Sequence, residues 1–192
     1  LSNSLSAKSM FKDLKAYHDF MKVQPTEDFP ANTSDYNQIA TQHEAFLKDY
    51  VETYGYYDVF IICAAHGHIM YTAARESDLG ANLSSGSLRN SGLGKLWHRV
   101  VQSHDAVFQD FEPYAPSGNV PAAFMGMPLY VDGKMVGVFA TQTSLDAINN
   151  IMQERSGMGQ TGETYLVGAD KRMRSDSFLD PTGHSVIASF KG

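Results

Sequence analysis

The sequence predicts an α+β fold in which a long N-terminal helix packs on an antiparallel five-stranded sheet. Residues 35–53 carry apolar side chains at three- and four-residue spacing, which is the pattern of an amphipathic helix. Downstream, short segments rich in β-branched and aromatic residues follow one another, and turn signals join two pairs of them. Because consecutive hairpins give antiparallel strands, one face of such a sheet is left for the helix to cover.

Two helices are predicted before the sheet begins. Residues 4–22 show helical spacing of apolar side chains, and residues 24–34 contain two prolines that predict a break. The second helix, over residues 35–53, has Asp35 as its expected N-cap and Gly55 as its expected stop.

Five strands are predicted in the middle of the chain, and Asp132-Gly133 is a strong hairpin signal between the last two. A Gly- and Ser-rich loop over 78–91 and a helix over 93–104 separate the second strand from the third. A further helix over 145–154 follows the sheet, and a further hairpin is expected over 163–177. The strands are expected at residues 58–65, 69–73, 106–114, 121–131 and 135–143.

Charge, cysteine content and the lengths of the apolar runs each limit what kind of protein this chain can be. The formal charge is −6 and Lys and Arg do not cluster, so a nucleic-acid partner is not expected. The single cysteine, Cys63, lies in an apolar run and is expected to be a small core residue. The chain starts at Leu1 and has no run of 18 apolar residues, so we expect it to be part of a longer protein whose membrane spans lie elsewhere.

Two motifs suggest chemistry but do not have the context that the chemistry needs. Residues 157–162 match the pattern GxGxxG, but a helix precedes them and a strand is expected after them, the reverse of a dinucleotide site. Ser117, Asp110 and His98 are the residue types of a hydrolase triad, but no serine has a GxSxG context. No enzyme activity and no cofactor are therefore expected.

Histidines are also present at positions where a metal site is conceivable. His66 and His68 flank a predicted hairpin turn, but a metal needs more ligands than two, and no further ligand lies near them in sequence. They are expected to be turn residues, and His43 and His104 are expected to be packing residues on helices. No metal site is predicted.

Several segments, taken in order, resemble the double-Cache sensor domains of bacterial methyl-accepting chemotaxis proteins, which also occur on histidine kinases and cyclases. The similarity extends over about residues 36–178 and is most specific between 137 and 177. It implies a PAS-like extracytoplasmic module, membrane-spanning helices on either side of it and a cytoplasmic output. The segments are residues 54–60, 69–72, 110–117, 121–124, 137–140, 161–168 and 173–177.

The resemblance also implies a division of the chain into three parts. Residues 1–55 are the N-terminal helical region, residues 56–155 the membrane-distal ligand-binding module, and residues 156–192 a linker with the first hairpin of a second module. The expected partners are a small-molecule ligand and a second copy of the full-length, membrane-anchored receptor, and the expected location is the periplasm.

The resemblance implies two ligand-binding residues, Tyr114 at the end of the third strand and Gln142 on the fifth, and the other candidates are chosen from the residues themselves. Amino-acid-binding members carry Tyr-x-Asp on the third strand and Asp on the last, whereas this chain has Tyr114-Ala115-Pro116 and the neutral Gln142. An α-amino acid is therefore disfavoured, and a small uncharged or anionic metabolite such as a short-chain carboxylate is expected. The candidate residues are Tyr71, Trp97, Asp110, Tyr114, Ser117, Phe124 and Gln142.

Other functions stay open at the level of the sequence. The module could belong to a histidine kinase or a cyclase, or it could bind no ligand and transmit a signal from a periplasmic binding protein. In the ligand-binding module, occupancy is expected to act by displacing one packed helix relative to its dimer partner.

Overall fold

The computed structural model describes residues 5–191 and shows the predicted α+β architecture. Five strands form one sheet in the order β2-β1-β5-β4-β3, and every neighbouring pair is antiparallel. The fold class expected from the sequence is therefore confirmed. The strands are β1 (Tyr56–Cys63), β2 (Ile69–Thr72), β3 (Val107–Tyr114), β4 (Val120–Val131) and β5 (Lys134–Thr143), and the α-helices are α1 (Leu5–Phe20), α2 (Ser34–Tyr54), α3 (Gly92–Ser103), α4 (Leu145–Met152) and α5 (Val186–Lys191).

The N-terminal helices form as predicted, with one correction at the start of α2. The N-cap is Thr33, whose hydroxyl oxygen accepts a 3.1 Å hydrogen bond from the backbone N–H of Tyr36. Asp35 instead lies in the first turn, where its charge is favourable next to the positive end of the helix dipole. Gly55 ends the helix with a φ of 67°, as expected for a left-handed C-cap.

The two faces of the sheet are covered by different helices. One face packs against α1 and α2, and its core includes Met10, Leu14, Tyr36, Leu47, Ile61 and Phe139. The opposite face packs against α3, and its core includes Phe60, Ile62, Leu96, Trp97, Phe124 and Val138. Because side chains alternate along each strand, residues two apart on β1 face the same helix layer.

Residues 156–191 differ from the prediction. The expected hairpin over 163–177 forms its turn but no strands: one isolated antiparallel bridge joins Val167 to Met173, and the backbone N–H groups of Gly168 and Arg174 donate to the carbonyls of Arg172 and Leu166. No third strand pairs with this segment in the described part of the chain, and an isolated two-stranded hairpin is marginal in water. Side chains bond the backbone instead, and the short helix α5 was not predicted.

The C-terminal segment is held to the sheet by a small apolar cluster and by the ion pair between Arg174 and Asp110 of β3. Phe111 and Ala123 of β3 and β4 pack with Met173 and Val186. Within residues 5–191, no helix combines the length and the hydrophobicity that crossing a membrane requires.

Candidate ligand-binding site

Three adjacent strands bring one acidic, one amide and one aromatic side chain into line on the α3 face of the sheet. Asp58 of β1 pairs with Gln142 of β5, and Gln142 pairs in turn with Phe124 of β4. All three are buried, with exposures of 0%, 4% and 0%. Directly paired residues project on the same side, so the row forms one edge of a site.

Asp58 is held in place by the backbone around it. Its Oδ1 accepts hydrogen bonds from the N–H groups of Val59, Ala73 and Ala74 at 2.7, 2.8 and 3.0 Å, and its Oδ2 accepts one from the Thr72 hydroxyl. Burial outweighs these bonds and raises the pKa of Asp58 to about 6. This residue therefore fixes the start of the loop after β2.

Asp78, further along that loop, is the second buried acid. The Tyr114 hydroxyl donates a 2.7 Å hydrogen bond to Oδ2 of Asp78, whereas Oδ1 of Asp78 is buried and has no hydrogen-bond partner in the described part of the chain. Burial raises the pKa of Asp78, and burial together with the adjacent carboxylate raises the pKa of Tyr114, which therefore remains a donor.

A third acid, Glu76, connects the loop to β5. The Ser117 hydroxyl donates to Glu76 at 2.7 Å and the Tyr57 hydroxyl donates at 2.6 Å. The Gln142 amide N–H donates to Ser117 at 3.3 Å, which leaves the buried Oε1 of Gln142 without a partner. Two acceptor atoms, one on Asp78 and one on Gln142, are thus unsatisfied.

We call these six residues, Asp58, Glu76, Asp78, Tyr114, Ser117 and Gln142, the polar cluster. It contains three carboxylates, and none of the ion pairs formed within residues 5–191 includes any of them. Arg75, the nearest cation in sequence, is directed towards Glu44 of α2 at 3.0 Å. The cluster is therefore rich in acceptors and has no neutralising cation of its own.

One cleft is lined by members of the polar cluster, and a second is lined by their neighbours in sequence. One cleft, of about 270 Å³, is lined by Ser117 and Gln142 together with residues at the end of β5. The other, of about 360 Å³, is lined by Ser77 and Leu79, which flank Asp78, and by Ala115, which follows Tyr114. Both volumes suit a small metabolite.

The structure brings four of the seven sequence-predicted residues together. Tyr114, Ser117 and Gln142 belong to the polar cluster, and the Phe124 ring packs edge-on against Tyr114 with ring centres 5.0 Å apart. Trp97 lies in the same apolar layer, but its indole N–H donates to the Cys63 carbonyl at 3.0 Å.

The other two predicted residues lie elsewhere. Tyr71 is buried on the opposite face of the sheet, under α1 and α2. Asp110 is half exposed and binds the Arg174 guanidinium through two hydrogen bonds of 2.7 and 2.8 Å. Ser117, Asp110 and His98 have different partners and share no hydrogen bond, so they do not form a triad.

Sequence reasoning missed Asp58, Glu76 and Asp78. Asp58 had a usable signal, because an acidic residue at the start of an otherwise apolar strand has to find partners when it is buried. Asp78 and Glu76 lie in a loop rich in polar residues, where nothing local distinguishes a buried acid from an exposed one.

No protein-family model and no curated protein sequence matches this chain. Among solved structures, it is similar to the ligand-binding domain of the Pseudomonas aeruginosa PAO1 amino acid chemoreceptor PctC in complex with GABA. The sequence identity is 14% and the TM-score is 0.53, and the match covers 98% of this chain and 77% of that one. It is also similar to the corresponding domain of Pseudomonas fluorescens CtaA in complex with L-serine, with 16% identity, a TM-score of 0.51, and coverage of 97% and 72%.

A third similar structure is the ligand-binding domain of Campylobacter jejuni Tlp3 in complex with L-norvaline, with 11% identity, a TM-score of 0.53, and coverage of 91% of this chain and 67% of that one. Identities this low establish the fold alone. This chain has the fold of the ligand-binding domains of bacterial chemoreceptors. The comparison thus confirms, for the fold, the resemblance to Cache-type sensor domains that the sequence indicated.

Proposed function

We propose that this chain is the extracytoplasmic ligand-binding domain of a bacterial transmembrane chemoreceptor, and that its ligand is a small metabolite carrying an ammonium group. The observation that supports the ligand class is the pair of buried acceptors without partners, Oδ1 of Asp78 and Oε1 of Gln142. An ammonium group has three donors and no acceptor, so it satisfies such atoms without competing with them.

The charge of the polar cluster supports the same class. Its three carboxylates have no cationic partner within residues 5–191, and buried charge without compensation is costly. A bound cation would compensate this charge and would also favour the ionised forms of Asp58 and Asp78.

The short-chain carboxylate expected from the sequence is less well supported. The two donors that favoured it, the Tyr114 hydroxyl and the Gln142 amide, are already engaged with Asp78 and Ser117. A carboxylate would add a further negative charge to an acidic site. The ligands in the similar structures, GABA, L-serine and L-norvaline, each carry an ammonium group together with a carboxylate, so they agree with an ammonium-bearing ligand and do not by themselves separate the two classes.

A matched series of small molecules tests this proposal. Butylamine, butyrate and GABA share a four-carbon chain and differ in carrying an ammonium group, a carboxylate or both; L-serine and L-norvaline add the α-amino acids. A five-atom ligand has a ceiling of about −7.5 kcal/mol, which corresponds to a dissociation constant of a few micromolar at best. We would screen these compounds by thermal shift of the purified chain, and each compound should therefore be present at millimolar concentration.

We expect stabilisation by at least one ammonium-bearing compound and none by butyrate. Stabilisation by butyrate alone would overturn the ligand class. If no compound of this series or of a wider metabolite panel stabilised the chain, the direct-sensor role would be overturned in favour of a module that reads a periplasmic binding protein.

We further propose that the parent protein is a membrane-anchored homodimer whose sensor lies in the periplasm and signals by displacement of its N-terminal helices. The polar cluster connects the loop after β2 to β3 and β5, while α1 and α2 pack on the other face of the same sheet. Ligand-induced changes in that loop would thus reach the helices through the sheet. An output through a histidine kinase or a cyclase would use the same movement.

A further inference from the structure

Three histidines from two distant parts of the sequence meet at the end of α1. His18 lies in the last turn of α1, and His66 and His68 lie in the turn between β1 and β2. Their nearest ring nitrogens all lie within 4.8 Å of one another. Sequence spacing revealed the pair in the turn but could not show that a third histidine joins it.

We propose that His18, His66 and His68 form a binding site for a divalent first-row transition metal ion such as Zn²⁺. The site shares no residue with the polar cluster and is independent of the ligand proposed above.

Unsatisfied nitrogen atoms are the first support for a metal site. His68 is fully buried and His18 is 4% exposed, so neither ring is freely hydrated. Nε2 of His18, Nδ1 of His66 and both ring nitrogens of His68 are buried and have no hydrogen-bond partner among residues 5–191. Buried polar atoms in native proteins nearly always have partners, and an orphaned group calls for an explanation such as an ion.

The ring geometry is the second support. Ring centres are separated by 5.1 Å for His18–His68, 5.5 Å for His66–His68 and 5.6 Å for His18–His66. Imidazoles bound tetrahedrally at a metal–nitrogen distance of about 2.0–2.1 Å have ring centres roughly 5 Å apart and nitrogens roughly 3.4 Å apart. Small side-chain rotations would therefore bring the three nitrogens into coordinating positions.

An orienting carboxylate is the third support. Nδ1 of His18 lies 3.2 Å from Oδ1 of Asp19. Since a carboxylate only accepts, this contact places the proton on Nδ1 and leaves the lone pair on Nε2, the orphaned atom. A carboxylate behind a ligating histidine is a common arrangement in metal sites, where it fixes the ring and increases its basicity.

The backbone of the turn holds the other two ligands. Gly67, between the two histidines, has a φ of 74°, and its N–H donates to the Cys63 carbonyl at 3.0 Å. The His68 carbonyl accepts from the Cys63 N–H at 2.9 Å. The turn is therefore shaped by its own hydrogen bonds, so His66 and His68 are positioned before any ion binds.

The ligand set indicates the class of ion. Three imidazoles without a thiolate suit Zn²⁺, Ni²⁺ or Cu²⁺, whereas Ca²⁺ and Mg²⁺ require oxygen ligands. His66 is only partly buried, so a fourth position on that side could take water. A bound ion would link the end of α1 to the β1–β2 turn.

Zinc titration of the full chain, first stripped with EDTA, tests the site. We expect one Zn²⁺ per chain by isothermal titration calorimetry, and visible absorption bands of tetrahedral Co²⁺ when cobalt replaces zinc. His66→Ala should weaken zinc binding at least tenfold and abolish the cobalt bands. The matched control, His98→Ala, removes an exposed histidine of α3 and should bind zinc as the original chain does.

Circular dichroism tests whether each variant is folded. If His66→Ala does not fold, His66→Gln is used in its place. The inference is overturned if the original chain binds no zinc at millimolar concentration, in which case the three rings only pack against one another, with His18 and His68 also against Phe29. It is equally overturned if the folded His66 variant binds zinc with unchanged affinity.

Discussion

The Tyr114 hydroxyl donates a 2.7 Å hydrogen bond to Oδ2 of Asp78, and the two side chains are 1% and 0% exposed. This bond connects the end of β3 to the loop after β2 within the interior of the protein. Within residues 5–191, Oδ1 of Asp78 has no hydrogen-bond partner and Tyr114 is the side chain that donates to this buried carboxylate.

Removal of the phenol hydroxyl should therefore destabilise the fold. Tyr114→Phe leaves Asp78 without a side-chain donor, and we expect a loss of about 1–3 kcal/mol in the free energy of unfolding at pH 7. Urea denaturation measures this loss. Tyr165→Phe, at a half-exposed position, is the control and should change stability by less than about 0.5 kcal/mol. Equal effects of the two substitutions would contradict a structural role for the bond.

The raised pKa of Asp58 leads us to expect that the free energy of unfolding depends on pH in a specific way. Burial raises its pKa to about 6 in the folded state, against about 3.9 in an unfolded chain. Between these values the folded state binds more protons than the unfolded state, so this residue makes the protein less stable as the pH rises from 4 to 6. The effect amounts to about 3 kcal/mol at most.

Asp58→Asn isolates that effect. The amide oxygen can accept the three backbone N–H bonds, and the amide nitrogen can donate to the Thr72 hydroxyl. We expect the stability of the variant relative to the original chain to increase from pH 4 to pH 7 in urea denaturation series. A difference that is constant across this range would contradict the raised pKa.

The fold could be predicted from the sequence because its signals are local and regular. The spacing in α2, the left-handed Gly55 and the Asp132-Gly133 turn each act within a few residues, and each has its expected structure. The hairpin expected over 163–177 has its turn and one antiparallel bridge but no strands, because a strand needs a neighbour and neighbours are not visible in local sequence.

The candidate site was only partly predictable, for a related reason. Tyr114 and Gln142 were found through the resemblance to known sensors, whereas Asp78 reaches Tyr114 across 36 positions of sequence. His18 likewise joins His66 and His68 only in the folded chain. Contacts between distant loops and helix ends depend on tertiary packing and have no spacing pattern of their own.

Gly67 offers a test of the turn that carries two of the histidines. A Cβ at this position would lie 2.9 Å from the Ser84 backbone nitrogen and 3.2 Å from the Trp97 ring. Gly133 has a similar φ, 77° against 74°, but nothing lies within 4 Å of its Cβ position. The two positions thus share backbone strain and differ in steric contact.

We expect Gly133→Ala to cost about 1–2 kcal/mol from left-handed strain alone, and Gly67→Ala to cost at least about 1 kcal/mol more because of the added clash. Chemical denaturation of the two variants measures the difference. Equal losses of unfolding free energy in the two variants would show that Ser84 and Trp97 move away from the new methyl group without destabilising the protein.

Arg174 is expected to hold the C-terminal segment to the sheet. It is 8% exposed and binds Asp110 of β3 as well as Asp170. Arg174→Ala should cost about 1.5–3 kcal/mol and increase amide hydrogen exchange over residues 163–191. Arg172→Ala removes an exposed cation from the Phe190 ring and should cost no more than about 1 kcal/mol. Unchanged exchange in the Arg174 variant would show that the apolar cluster alone anchors the segment.

The central claim is that a ligand ammonium group binds at Asp78, and calorimetric titration of the best ammonium-bearing compound from the screen tests it most directly. Asp78→Asn should weaken binding at least tenfold, a loss of about 1.4 kcal/mol, because the charge-assisted hydrogen bond is removed. Glu52→Gln removes an equal charge from the exposed surface of α2 and should leave the affinity within twofold. If Asp78→Asn, shown to be folded by circular dichroism, bound the compound as tightly as the original chain, the ligand site would lie elsewhere.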